Sequence, residues 1–241
     1  MTKATHLESL CARLFGLFII TAMLLASVQS VVFSHPFYQD LYARLNLAEQ
    51  IGVSEEDLET SIFLMTDYVE GKRNDLEGQI VRYGQETEIF NTKEKRHMKD
   101  VRALWLKARA VMIASWTVSG LCALCLFVRK KLQAFSLLFD GLKFALLFLT
   151  ILLIFFGFWC FIDFTGFWTW FHTVVFPGNM DWLLDPATDF MIVICPETMF
   201  STMIFQIALR LIASIAILVF AGWYGEHSQK QMAPIEKELY S

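Results

Sequence analysis

Four long apolar stretches divide the chain, at 14–33, 108–128, 144–162 and 202–223. Each approaches the roughly 20 residues that an α-helix needs to cross a hydrocarbon core about 30 Å thick. The first follows Arg13 and contains small residues, as a signal peptide does. Its apolar run is too long for a signal h-region and no A-x-A site follows, so it reads as an uncleaved anchor. Between the first two stretches the pattern changes. Ser54 followed by Glu55, Glu56 and Asp57 is an N-cap with acids in the first turn. Leu58, Ile62, Met65 and Val69 then recur on one helical face up to Glu70, and Gly71 ends the run. Residues 76–90, with Gly78 and Gly84, read as a short extended hairpin or loop. Thr92 is expected to cap a second helix through NTKEKRHMKDVRALWL, and nothing breaks it before the second apolar stretch. One continuous helix is therefore expected from about 93 to 128.

The expected fold is an all-α polytopic membrane protein, with four transmembrane helices and a mostly helical extracytoplasmic insertion between spans one and two. Residues 1–241 form a single membrane domain, with the outer segment at 34–106 and the cytoplasmic tail at 224–241. The short loops set the direction. Loop 129–143 carries Arg129, Lys130, Lys131 and Lys143 against Asp140, whereas loop 163–200 has no Lys or Arg. Positive residues favour the cytoplasmic side, so 129–143 lies inside, 163–200 lies outside and both termini are cytoplasmic. The nine bases of 34–106 do not oppose this, because a segment of that length translocates largely regardless of charge.

Composition agrees. Of 241 residues 56% are hydrophobic and 18% charged, with mean hydropathy +0.48, against about 25% charged in an ordinary soluble domain. The net charge of −4 offers no basic surface for nucleic acid. Five cysteines do not make a disulfide scaffold. Cys122 and Cys125 fall inside span two, where they act as small apolar residues. No G-x-S-x-G, H-E-x-x-H, P-loop or G-x-G-x-x-G is present, no cluster has metal-ligand spacing, and no cofactor is implied.

The candidate chemistry rests on histidine. His6 and His227 fall in the tails, and His35 is an interfacial residue before Pro36. His97, just above span two, and His172, just after span three, both fall on the outer side, where they are able to converge. Two surface histidines near the headgroups are the plainer alternative. Asp100 stands at i+3 from His97 and is expected to orient its ring. Between Ile154 and Trp182, eight Phe and four Trp crowd 29 residues, which places this loop in the membrane interface. Pro177-Gly178-Asn179 marks a turn. Asp185 before Pro186 is expected to cap a short helix running to about Ile194. Asp181, Asp185, Asp189 and Glu197 sit in a base-free loop and need partners. Arg210, about eight residues into span four with Gln206 one turn above it, is expected to face a polar cavity or a partner.

The segments EKRHMKDVR and FHTVVFPGNMDWLLDPATDFMIVICPETMF, with the four-span layout and the outer helix SEEDLETSIFLMTDYV, resemble the lipoprotein intramolecular transacylase (Lit) family over nearly the whole chain. The resemblance implies a bacterial plasma-membrane acyltransferase whose active site faces the outer leaflet. Its substrate is a lipoprotein bearing a diacylglyceryl group on its N-terminal cysteine. Such enzymes move the sn-2 acyl chain to the cysteine α-amine and leave a lyso-form lipoprotein. His97 and His172 match the family's functional histidines, and Cys195 is given no role. The chemistry is compatible, because a histidine near neutrality is able to take a proton from an amine and return it to a departing glycerol oxygen. The amine and the ester belong to one substrate, so no enzyme nucleophile is needed. His172 is assigned the acid–base shuttle and His97 its partner. Arg210 is assigned to the ester carbonyl or a headgroup, and Asn179 and Trp182 to shaping the site. The rival readings are an outer-leaflet lipid hydrolase and a non-enzymatic membrane sensor or assembly protein. Membrane lipids are partners in every reading, and the oligomeric state is not set by the sequence.

Overall fold

A computed structural model describes residues 4–239 of the chain. Lys3 and the last two residues of the expected tail 224–241 lie outside the described residues. Among the described residues nine α-helices and one hairpin follow in order: α1 His6–Val32, α2 His35–Leu45, α3 Leu47–Ile51, α4 Glu55–Glu70, β1 Gln79–Arg82, β2 Gln85–Glu88, α5 Thr92–Lys130, α6 Ala134–Ile162, α7 Phe164–Val175, α8 Phe190–Ile194 and α9 Glu197–Leu239. A single 3-10 turn, Lys131–Gln133, separates α5 from α6. Among the described residues His6–Val32, Thr92–Ile162 and Glu197–Ser228 qualify by length and apolar composition as membrane spans, so three continuous segments are found where four were expected. The middle one joins α5 and α6, and Lys131 at φ 48 marks the break between them.

The chain divides into two compact units. One comprises Met1–Ser27, Ala110–Ile162 and Ala208–Ser241. Its small core gathers Ile19, Ile20, Leu142, Ala145, Leu149 and Leu211. Most of its large side chains face outward, as with Phe148, Ile151, Phe155 and Phe158, and Phe161 is 89% exposed. Such a surface is tolerable only in lipid. Without a hydrophobic drive between helices, close packing must supply the contact. It does so at Gly16, where a Cβ would fall 2.0 Å from the carbonyl oxygen of Gly141.

The other unit comprises Val28–Arg109 and Asp163–Ile207. Its core is continuous, from Tyr38, Leu58 and Ile62 to Phe90, Ile194 and Met199. Helix α4 starts as expected, with the Ser54 hydroxyl accepting from the Asp57 N–H at 3.0 Å. It ends at Gly71, φ 94. The hairpin closes through Tyr83 and Gly84 at φ 51 and 78, the pair of positive angles that a two-residue type I′ turn needs. Helices α2 and α3 were not foreseen. They bury Tyr42, whose hydroxyl donates to the Ile194 carbonyl at 2.7 Å.

Two caps differ from expectation. Asn91, not Thr92, caps α5: its Oδ1 accepts from the N–H groups of Lys93 and Glu94, and Glu94 Oε2 accepts from the Asn91 N–H at 2.7 Å. This reciprocal pair is a capping box built on asparagine. Residues 185–188 form a turn instead of the first turn of a helix, with the Asp185 carbonyl accepting from the Thr188 N–H at 3.0 Å and Asp185 Oδ1 from the Ala187 N–H at 2.9 Å. Helix α8 accordingly begins only at Phe190. Half of the expected interfacial loop is itself helical, since Asp163 caps α7 through the Gly166 N–H at 2.8 Å.

Candidate active site

The second unit brings His97 of α5 and His172 of α7 together. Their ring centroids lie 5.9 Å apart at 39°. Both are buried, at 6% and 7% exposure, so the surface-histidine alternative fails. Phe176 completes a triangle with them, 5.4 Å from His97 and 5.9 Å from His172. Trp168 packs edge-on to His172 at 4.8 Å, and Trp182 lies against its ring at 5.1 Å and 30°. The aromatic crowd read as an interface belt thus walls the histidine pair. The turn that seats Phe176 is type II, with Pro177 leading, Gly178 at φ 75, and the Asn179 N–H on the Phe176 carbonyl at 3.2 Å.

The two imidazoles are held differently. His172 Nδ1 lies 2.8 Å from the Trp168 carbonyl, one turn back on α7. A carbonyl only accepts, so Nδ1 carries the hydrogen and Nε2 presents its lone pair. Burial pushes the His172 pKa down, and the carbonyl opposes this only in part. His97 has no hydrogen bond to its ring among the described residues. Burial and then the neighbouring His172 push its pKa down to about 4, against the opposing pull of Asp181. Both rings are therefore neutral at pH 7 and able to accept a proton.

Asp100 does not orient His97. Its Oδ2 accepts from Asn179 Nδ2 at 2.5 Å, a donor that arrives from 79 positions away. The carboxylate acting on His97 is Asp181. It is gripped by Arg96 through two bonds of 2.8 Å and accepts nothing from His97 directly. The Arg96 guanidinium holds the Asp181 carboxyl below the usual carboxylate range. Asn179 Oδ1 in turn accepts from the Asp181 N–H at 2.7 Å. Asp189, 3% exposed, is met by Lys93 at 2.9 Å and by Asn91 at 2.8 Å. Burial raises its pKa, but the Asp185 N–H, Lys93 and Asn91 outweigh that and bring it to about 2. The base-free loop thus finds its bases on the first turns of α5. Sequence reasoning missed Lys93, Arg96, Trp168 and Phe176. The signal for the first two was present: unpartnered acids in one outer segment and the cluster KEKR in another.

Glu197 accepts from the Thr165 hydroxyl at 3.1 Å, which ties α9 to α7. Gln206 is half-buried further along α9. Arg210 falls in the other unit and is exposed. An open cleft of about 300 Å³ adjoins Phe176, lined by Asp100, Ala103, Leu104, Lys107, Pro177 and Asn179. Its α5 wall uses positions i, i+3, i+4 and i+7 of one helix face. The Trp182 indole nitrogen is buried with no acceptor among the described residues. An unsatisfied buried donor ordinarily costs about 1–3 kcal/mol.

These features define a membrane-integral helical protein with a buried, aromatic-walled histidine pair. Lipoprotein intramolecular transacylase Lit is the family that matches, over residues 13–200, and the chain belongs to that family, whose members are acyltransferase-type enzymes. Among solved structures it is similar to the membrane-integral lipoprotein intramolecular transacylase Lit from Bacillus cereus, with 18% identity, TM-score 0.76, and 94% of this chain and 99% of that one covered. Histidine-to-arginine and histidine-to-alanine variants of that protein match at 16% identity and TM-score 0.72, covering 94% of this chain and 95% and 96% of theirs. At such identities these likenesses establish the fold alone. No curated protein sequence matches the chain.

Proposed function

We propose that the chain moves the sn-2 acyl group of a diacylglyceryl-cysteine lipoprotein to the cysteine α-amine, giving a lyso-form lipoprotein. The observation that carries this is the pair of buried neutral imidazoles, 5.9 Å apart, in a chain of this family. An α-amine of pKa about 7.7–8.0 must lose a proton to attack, and the glycerol oxygen must gain one to leave. His172 Nε2, fixed as the acceptor by its Nδ1 bond, performs both transfers. His97 faces it as a second neutral imidazole within the same aromatic wall. Amine and ester arrive on one molecule, and the rings hold them in register.

Four spans suit this reading. The segment Thr92–Ile162 has 71 residues, about 106 Å as helix, and it is broken at Lys131. Two crossings with an inner turn at Arg129–Lys131 put both termini in the cytoplasm and the histidines at the outer leaflet, following the positive residues. There the substrate's acyl chains lie in lipid and its peptide lies outside, and the cleft beside Phe176 gives an approach from the headgroup level.

The test is tandem mass spectrometry of a lipoprotein N-terminal peptide from cells with and without this protein, because the transfer yields an isomer of equal mass. Fragments showing an N-acylated cysteine with a monoacyl glyceryl group support the proposal. Loss of one acyl group from the intact mass, without N-acylation, points to a hydrolase. Unchanged mass with both acyl groups still on the glycerol points to a sensor.

A further inference from the structure

We infer that the indole N–H of Trp182 is the hydrogen-bond donor that stabilises the oxyanion of this transfer; the inference rests on the reaction proposed above. Three observations converge. The indole nitrogen is buried and has no acceptor among the described residues. The ring that carries it lies against His172 at 5.1 Å. The residue before it is fixed, because Arg96 grips the Asp181 carboxylate and Asn179 holds the Asp181 N–H. Most buried polar groups in native proteins are paired, and an unpaired one calls for an explanation, a catalytic role among them. Among the described residues the other buried indole without a partner, Trp105, packs on Phe33 at 4.8 Å and has no ring contact with either histidine.

The chemistry needs such a group. The α-amine nitrogen attacks the sn-2 carbonyl carbon, and an N–C bond forms. The carbonyl π pair moves onto oxygen, and the amine proton passes to His172 Nε2. The negative oxygen then requires a donor already in place. When the tetrahedral centre collapses, the oxygen pair re-forms the carbonyl and the C–O bond to glycerol breaks. The imidazolium returns its proton to the departing glycerol oxygen. An indole N–H is suited to this role because it donates without ionising at any working pH. A donor preorganised in a water-poor site contributes most where charge develops.

The experiment uses the purified full-length protein and a synthetic diacylglyceryl-cysteine peptide. Trp182→Phe keeps a ring and removes the N–H. The expected result is a fall in kcat of about 10²–10³-fold with KM little changed. Two non-reacting analogues separate donation from packing. One carries a tetrahedral phosphonate in place of the sn-2 ester, and the other carries an ether that has no carbonyl. The variant is expected to lose phosphonate affinity by the same factor as kcat and to bind the ether as the unsubstituted protein does. Retained kcat overturns the inference, as does equal weakening toward both analogues. Absence of N-acylated product from the unsubstituted protein overturns the underlying reaction instead, and the inference falls with it.

Discussion

Residues 91–107 and residues 163–182 each carry one histidine of the pair, and they hold it by opposite means. Around His97 the scaffold is ionic: Lys93 reaches Asp189, Arg96 reaches Asp181, and Asp100 receives Asn179. The imidazole itself stands among these charges without a hydrogen bond to its ring. Around His172 the scaffold is aromatic, with Trp168, Phe171, Phe176 and Trp182 all within 6 Å of its ring centroid. Here the imidazole carries the hydrogen bond and its neighbours do not. The difference separates two tasks. A proton shuttle needs a known tautomer, which a fixed carbonyl provides. A charged scaffold aligns chain segments distant in sequence and keeps its carboxylates off the histidine, so neither imidazole is held permanently protonated.

The sharpest way to break this comparison is to remove each ring. His172→Ala is expected to lower lyso-lipoprotein formation by about 10²–10⁴-fold, the range for a general acid–base group. His97→Ala is expected to lower it as well, both with normal membrane insertion. Fragmentation of the N-terminal peptide, which places the acyl group on nitrogen or oxygen, and membrane fractionation check these outcomes, and full activity in either variant sinks the pairing.

The next test uses pH. His97 has a folded-state pKa of about 4 against an ordinary 6.5, so the unfolded chain binds the proton more readily. Its contribution is fully present above pH 6.5 and is lost as pH falls toward 4, on the order of 3 kcal/mol in all. Thermal unfolding across that window is expected to lose much of its pH dependence in His97→Phe. An identical slope in the variant rules His97 out as its source.

The ionic side is tested by Lys93→Ala, which removes a charged partner of the buried Asp189. A loss of about 1.5–3 kcal/mol is expected from chemical denaturation. The aromatic side is tested by Asp163→Ala, which removes the α7 cap and is expected to cost about 0.5–2 kcal/mol. The subtlest change is Asp181→Asn, which removes the one carboxylate drawing protons toward His97. The His97 titration followed by NMR is expected to move further below its present position, while His172 stays in place.

Much of this architecture was legible in the sequence, for identifiable reasons. Ser54 with three following acids is a local signal, and local signals survive folding. The continuous helix through His97 followed from the absence of any breaker between Thr92 and Arg129. The hairpin was marked by its glycines. What failed was pairing at a distance. Asp100 stands one turn from His97, yet it prefers an amide that arrives from residue 179, and no i+3 rule contains that information. Likewise Asp185-Pro186 opens a turn and not a helix, and its neighbour Asp189 is engaged by Lys93 and Asn91 from a segment about 96 positions away. Helix α7 was hidden inside a run of aromatic residues whose density reads as membrane interface before it reads as helix. Its one start signal, Asp163, sits directly against the end of the preceding span.

The hydrogen bond from His172 to the Trp168 carbonyl has a consequence for genetics. The acceptor is main chain, so every amino acid at position 168 supplies it. A substitution scan at that position reports on the indole ring alone and is blind to the contact that sets the tautomer. The orientation of the shuttle is thus robust to point mutation at its own anchor, and its weak points lie in whatever keeps α7 helical: the cap at Asp163, and the exclusion of proline from the turn between Trp168 and His172.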